Sequence, residues 1–384
     1  MKISQADRLR NLALSIAAKS GGLNLSNVKG DQSSFAELSI GTVQSGERVL
    51  VVGAADGHIA FEAARQAGPT GSVTALENDV ALLGQAQEQA GKFEGEQGYQ
   101  NVRLVRTELS DFATDPGFVN EFLAERPVAD LDAYLELQTK LEVQRRERPL
   151  LADDSFDVII LDAVINRLPL ADGIKALNEA FRVLRRGGRL YVSALLADEA
   201  VTTDLPKLPN GLTVHHAPLE TGILALLDGA GFYGMSMIWR AELPMNVVDG
   251  AELRTFVLEA YKGKQGVCLD QGHAVIYKGP WSQVSDDDDH VYVRGARTAV
   301  CAKTYDILMR APYKGHFIGV PGYVSVPLEQ APLFDCNTPQ LRDPQVTKGK
   351  RSVFDQPSPA ASSCCPAPAD TAAGGDCCDA GGCC

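Results

Sequence analysis

"VLVVGAADGHIAFEAA", residues 49–64, decides the fold. A run of apolar, mostly β-branched residues empties through two glycines into a stretch with helical spacing. Such a run suits a strand buried on both faces, as strands of parallel sheets are. The glycine turn lets backbone approach a ligand closely, and the helix that follows turns free N–H groups toward it. Working outward, "SVTALE" (72–77), "NVRLVR" (101–106), "FDVIILDAVI" (156–165) and "RLYVSALL" (189–196) read as further strands. Between them "HIAFEAARQAG" (58–68), "VALLGQAQEQAGKF" (80–93) and "DGIKALNEAFRVLRRGG" (172–188) read as helices, two of them closed by glycine. Strands alternating with helices over short connections predict an α/β fold, a Rossmann-like doubly wound sheet.

Glu77 ends the second strand about 20 residues after the turn, where an acid accepts hydrogen bonds from a ribose diol. Gly53, Gly57 and Glu77 together suit an adenosine-containing cofactor. The dinucleotide fingerprint G-x-G-x-x-G is broken, because Ala55 holds the second glycine's place. Asp56, and five strands closing on "LRRGGRLYVSAL", favour S-adenosylmethionine over a nicotinamide dinucleotide.

The rhythm breaks twice. Residues 112–153 are charged, with Leu131, Tyr134, Leu135 and Leu141 near helical spacing, and predict a helical insertion over one edge of the sheet. Past residue 200, "HAVIYKGPW" (273–281) and "DDDDHVYVRG" (286–295) predict a hairpin around an acidic turn. The expected organisation is a helical segment over 1–45 with Leu9, Leu12 and Ile16 on one face, and a cofactor domain over 46–200. A smaller α+β domain follows over 201–345, then a disordered tail over 346–384, where proline, alanine, serine and glycine replace the aliphatics.

The 384 residues carry a net charge of −13, and 45% of them are hydrophobic. That charge argues against nucleic acid and anionic membranes as partners. No stretch reaches the ~20 apolar residues of a membrane span. No nucleophile elbow or P-loop pattern occurs, so hydrolase and nucleoside-triphosphate chemistry have no support. "DDDDH" (286–290) lacks the spacing of a calcium loop and reads as a solvated turn, and no cysteine stands near His215 and His216 to complete a zinc set.

None of the nine cysteines precedes Cys268, a distribution foreign to a disulfide scaffold and suited to a reducing compartment, hence a cytoplasmic protein. Cys268, Cys301 and Cys336 fall in the second domain. Cys364, Cys365, Cys377, Cys378, Cys383 and Cys384 fall within the last 21 residues, as adjacent pairs. Adjacent Cα atoms lie ~3.8 Å apart, too close for an ordinary disulfide. All nine are candidate ligands for a soft metal ion or metalloid; for Cys268 and Cys301 the alternative is a small buried hydrophobe.

"GAADG", Glu77, "FDVIILDAVINRLP" and "ALNEAFRVLRRGGRLYVS" together resemble the class I S-adenosylmethionine-dependent methyltransferases. "VINRLP" (164–169), "DQGHAVIYKG" (270–279) and "RGARTAVCAKT" (294–304) are similar, more narrowly, to the arsenite methyltransferases. The resemblance implies cofactor contacts at Gly53, Ala55, Asp56, Gly57, Glu77 and Asn78. It also implies that Leu109 and Ser110 flank the adenine, with Asp162 beside the methionine moiety. Val51 and Ala55 depart from the family, which has an acid and a glycine there. Ala163 stands where the family has an arsenic-binding thiol, and "DQSSFAELSIGTV" (31–43) and "LPNGLTVHHAPLE" (208–220) lack the others.

The implied function is methyl transfer from S-adenosylmethionine to thiol-bound trivalent arsenic, As(III), with glutathione or another small thiol as carrier. Asp162 and Asn166 are the candidate catalytic residues, Asp162 as base or as ligand of the cofactor's amino group. His58 reads as an exposed cap of the first helix. Two alternatives stay open: a catalytically degenerate binder using the cysteine-rich tail, and a methyltransferase for an organic nitrogen or oxygen.

Overall fold

The computed structural model describes residues 43–208, 211–324 and 326–355. The helix expected near the N-terminus and the six tail cysteines lie outside them. Two compact units divide the chain, Met1–Lys262 and Gly263–Cys384.

The first unit is built on one sheet. Strands β1 (Arg48–Val52), β2 (Ser72–Glu77), β3 (Val102–Arg106), β4 (Phe156–Asp162) and β5 (Leu184–Ala197) run parallel in the order β3-β2-β1-β4-β5. The apolar runs of β1 and β4 are buried on both faces, whereas the edge strand β3 buries only Val105, and the pleat alternates the side chains. Val49, Val51, Val158 and Ile160 pack with Ile59, Ala60, Ala63 and Ala64 of helix α1 (His58–Ala67) and Phe93 of α2 (Val80–Gln97). Leu50, Val52, Ile159 and Leu161 point the other way and pack with Leu177 and Ala180. The insertion holds α3 (Pro116–Glu125) and α4 (Leu131–Glu147), joined through Phe122, Leu137 and Leu141. The buried stripe of α4 is Ala133, Leu137, Leu141 and Gln144, so Leu131, Tyr134 and Leu135 of the expected stripe are solvent-exposed.

Three expectations are corrected. After the short α5 (Val164–Arg167), helix α6 (Leu170–Val183) stops five residues before 188. Leu184 is fully buried and pairs with Phe156, so "LRRGG" joins the strand β5. The cofactor unit also does not end at residue 200. Beyond α7 (Gly222–Gly229), β6 (Tyr233–Arg240), β7 (Asn246–Val248) and β8 (Ala251–Tyr261) return to the sheet, β8 antiparallel to β5 from Arg189↔Tyr261 to Ala197↔Leu253. The boundary therefore falls at 262/263. The hairpin around the acidic turn joins β10 (Gln283–Ser285) to β11 (Val291–Val293); β9 (Ala274–Tyr277), expected as its first arm, pairs instead with β12 (Arg297–Ala299) and β13 (Phe317–Val320).

That three-stranded sheet carries the core of the second unit: Val275, Tyr277, Tyr292, Val300, Leu308 and Phe317. Helix α8 (Ala302–Leu308) packs on it. The bidentate pair between Arg342 and Asp270 is fully buried, at 2.8 and 3.0 Å.

Candidate active site

The strand order reverses between β1 and β4, and open α/β sheets bind ligands at the carboxyl ends of strands at such a point. Gly53 leaves β1 at φ +77°, and Gly57 enters α1 at φ +89°. Neither tolerates a side chain: a Cβ on Gly53 would lie 2.5 Å from the Asp162 carbonyl oxygen, and one on Gly57 would lie 2.5 Å from the Phe61 ring. The N–H groups of Gly53 and Ala54 both donate to the Leu76 carbonyl at 3.0 Å, which binds the turn to β2. Ala55 sits at φ +47°, a left-handed conformation costing a residue with a Cβ of order 1 kcal/mol. Its N–H donates to Glu77 Oε2 at 2.9 Å and holds the turn in that shape. Asp56 Oδ1 accepts from the His58 N–H at 3.2 Å, and His58 is half-buried, not an exposed cap.

Glu77 is where the sequence places it, at the end of β2, yet its carboxylate is already taken. The Arg167 guanidinium grips it with two hydrogen bonds of 2.9 and 2.5 Å and also reaches Asn78 Oδ1 at 2.9 Å. The Asn78 and Asp79 N–H groups donate to Oε1. Burial would raise the Glu77 carboxyl, but Arg167 and these N–H donors outweigh it and hold the group below the usual range. Arg167 also fills the inside of the turn, its Nη1 lying 3.2 Å from where a Gly53 Cβ would be. The turn has the shape for an adenosine ligand; the acid becomes free for a ribose only when Arg167 leaves. An ion pair spanning 90 residues leaves no local pattern, so nothing in "VINRLP" marks Arg167 as its partner.

Asp162 closes β4 on the other side of the crevice and is 5% exposed. Burial pushes its carboxyl up to about 7, with Glu77 and Asp56 adding to the shift, against the Ser193 hydroxyl and Arg167. The Ser193 hydroxyl donates to Asp162 Oδ1 at 2.5 Å; a serine within the apolar stretch "LYVSALLA" (190–197) is its only sequence signal. A group raised in the folded state contributes stability that is complete below its unfolded value near 3.8 and is lost as pH climbs to about 7. Asp162→Asn fixes the neutral form. We expect the variant to exceed the wild type by about 2 kcal/mol at pH 8 and by almost nothing at pH 4, read from urea midpoints. A difference independent of pH would contradict the assignment.

Asn166 does not face an acceptor. It is fully buried, its Nδ2 donates to the carbonyls of Leu195 and His216 at 2.8 and 2.9 Å, and its Oδ1 accepts from the Leu195 N–H at 2.8 Å. It ties α5 to β5 and to the His215–His216 segment, whose His215 N–H donates to its carbonyl. Ala163 lies in an apolar cluster with Leu208 and Val214. Leu109 is buried in the sheet core with Leu50, Val52 and Leu76, leaving Ser110, half-buried, as the more accessible of that pair.

In the second unit the structure brings Cys268, Cys301 and Cys336 together, their Sγ atoms all within 4.8 Å of one another. Cys301 is fully buried and caps α8, its Sγ accepting from the Thr304 N–H at 3.3 Å with the Thr304 hydroxyl at 3.2 Å. The Cys268 and Cys336 thiols beside it and the Thr304 donors pull Cys301 well below the ordinary thiol range, against burial. The acidic turn is not simply solvated. Asp286 accepts from the Asp288 and His290 N–H groups, and its other oxygen meets His290 Nδ1 at 2.9 Å and the Tyr292 hydroxyl at 2.8 Å.

Residues 123–192 match the family described as a methyltransferase domain, and residues 264–352 match a domain of unknown function, DUF8838. An arsenite methyltransferase of Aquipseudomonas alcaligenes is 26% identical over 288 residues, covering 71% of this chain and 72% of that protein. One from Halobacterium salinarum is 26% identical over 231 residues, 60% of this chain and 47% of that protein. The crystal structure of an arsenic(III) S-adenosylmethionine methyltransferase from Chlamydomonas reinhardtii aligns with a TM-score of 0.45 at 22% identity, over 78% of this chain and 90% of that one. The first unit thus has the class I S-adenosylmethionine-dependent methyltransferase fold, and the chain is similar along most of its length to the arsenite methyltransferases.

Proposed function

We propose that the methyl acceptor is trivalent arsenic carried as a thiolate complex. The observation that supports this most is the similarity to the Aquipseudomonas arsenite methyltransferase, which runs through 71% of the chain. When bound, the cofactor supplies an electrophilic methyl group on a sulfonium. The chain's part is placement. The Gly53–Gly57 turn offers glycine backbone without side chains at Gly53 and Gly57, and Glu77, once clear of Arg167, accepts from the ribose hydroxyls. Ala163, Leu208 and Val214 form an apolar wall that excludes water beside the strand end.

An arsenic lone pair needs no base, so this acceptor asks no proton transfer of Asp162. No cysteine precedes Cys268, so the sulfur ligands of the arsenic come with a small thiol such as glutathione or from the later cysteines. Thiols in that role require a reducing compartment, which fits the cytoplasm.

The test is transfer of isotopically labelled methyl from S-adenosylmethionine in the presence of arsenite and excess glutathione. Methylated arsenic formed with S-adenosylhomocysteine in equal amount is the expected result, at a rate that does not rise through pH 7. A second reading, an oxygen or nitrogen acceptor, is favoured by the Asp162 carboxyl near 7, the range of a general base. It predicts no arsenical product and a rate that climbs through pH 7 with an organic acceptor.

A further inference from the structure

We propose that Cys268, Cys301 and Cys336 form a three-coordinate thiolate site for trivalent arsenic within the second unit, built from none of the residues of the cofactor turn. The choice of ion rests on the acceptor reading above; the existence of a soft-ion site does not.

Three features of the site converge. The first is preorganisation. Three segments distant in sequence are fixed by backbone, not by sulfur: the Phe334 N–H donates to the Cys268 carbonyl at 2.9 Å, and the Ala302 N–H to the Leu269 carbonyl at 2.8 Å. A further bridge joins Leu269 to Leu333. Cys301 is held by the first turn of α8 through Thr304. All three thiols are free, so the grouping is not a disulfide with a spare. A packing role alone would not gather the three sulfurs on one point.

The second is donor type and number. The set is sulfur only, which selects soft ions over calcium or magnesium. Zinc in a closed structural site takes four ligands. Among the described residues no histidine, aspartate or glutamate atom joins the three sulfurs within 4.8 Å; Asp286 is engaged with His290 and Tyr292, and Asp288 with Lys264 at 2.5 Å. Three thiolates with no fourth donor among the described residues match an ion whose lone pair fills the remaining position.

The third is access. Cys301 and Cys336 line a cavity of about 230 Å³ together with His290, Tyr292 and Phe334, room for a small thiol to deliver or remove the ion.

Loading conserves oxidation state. Arsenous acid exchanges three As–O bonds for three As–S bonds, and the three thiol protons leave on the three hydroxides as water.

The experiment uses the full-length chain with its six tail cysteines changed to serine, reduced, without cofactor, and titrated with sodium arsenite. Native mass spectrometry should find one arsenic per chain, and X-ray absorption should find three sulfur neighbours. Cys301→Ser keeps an oxygen to cap α8, so the variant stays folded by circular dichroism while its arsenite affinity falls at least about tenfold. Purified protein carrying zinc with four ligands, no arsenic bound, or unchanged affinity in Cys301→Ser would each overturn the proposal. The readout is binding alone, so arsenic held here but never methylated would overturn the acceptor reading and leave this site standing.

Discussion

Arg167→Ala is expected to bind S-adenosylmethionine about tenfold more tightly than the wild type while losing about 2–3 kcal/mol of stability in the absence of cofactor. Both effects come from one ion pair. Glu77 is completely buried and the Arg167 side chain is 6% exposed, so removing the guanidinium strands a carboxylate out of water. The loss is moderated because the Ala55, Asn78 and Asp79 N–H groups still donate to it. The gain in affinity follows because a ribose no longer has to displace Arg167 from the acid; a closed state that must open lowers apparent affinity by the fraction open. Calorimetric titration and urea unfolding check the two halves. A fall in affinity would give Arg167 the opposite role, a ligand for the cofactor's carboxylate.

Asn166→Ala should cost about 3–4 kcal/mol and should do so in the free protein. The substitution leaves the buried Leu195 N–H and carbonyl and the half-buried His216 carbonyl without this partner. Chemical unfolding measures it. If Asn166 instead oriented the acceptor, the variant would unfold at the wild-type midpoint and lose only turnover.

What could be read in the sequence was what the chain writes locally. The turn from Gly53 to Gly57 and the acid at Glu77 come from a strand, a loop and a strand adjacent in the chain, each with its own composition. The parallel core was legible because burial on both faces removes polar residues from whole strands. The β6–β8 strands were assigned to the wrong unit because antiparallel edges rejoining a sheet after about 35 residues of irregular chain and one helix resemble a new domain. The face of α4 was misread because Leu131, Tyr134 and Leu135 keep helical spacing while pointing to solvent. Arg167 on Glu77, Ser193 on Asp162 and the meeting of Cys268, Cys301 and Cys336 are all long-range, and no spacing rule announces them. Each is a tertiary event placed by the fold.

We propose a methyltransferase whose cofactor turn works once Arg167 yields the acid. The direct measurement is a calorimetric titration of the full-length protein with S-adenosylmethionine, repeated with S-adenosylhomocysteine as competitor. The account predicts one saturable site with a dissociation constant below about 100 μM, displaced by the homocysteine product and tightened by Arg167→Ala. Absence of binding in both the wild type and Arg167→Ala would contradict it.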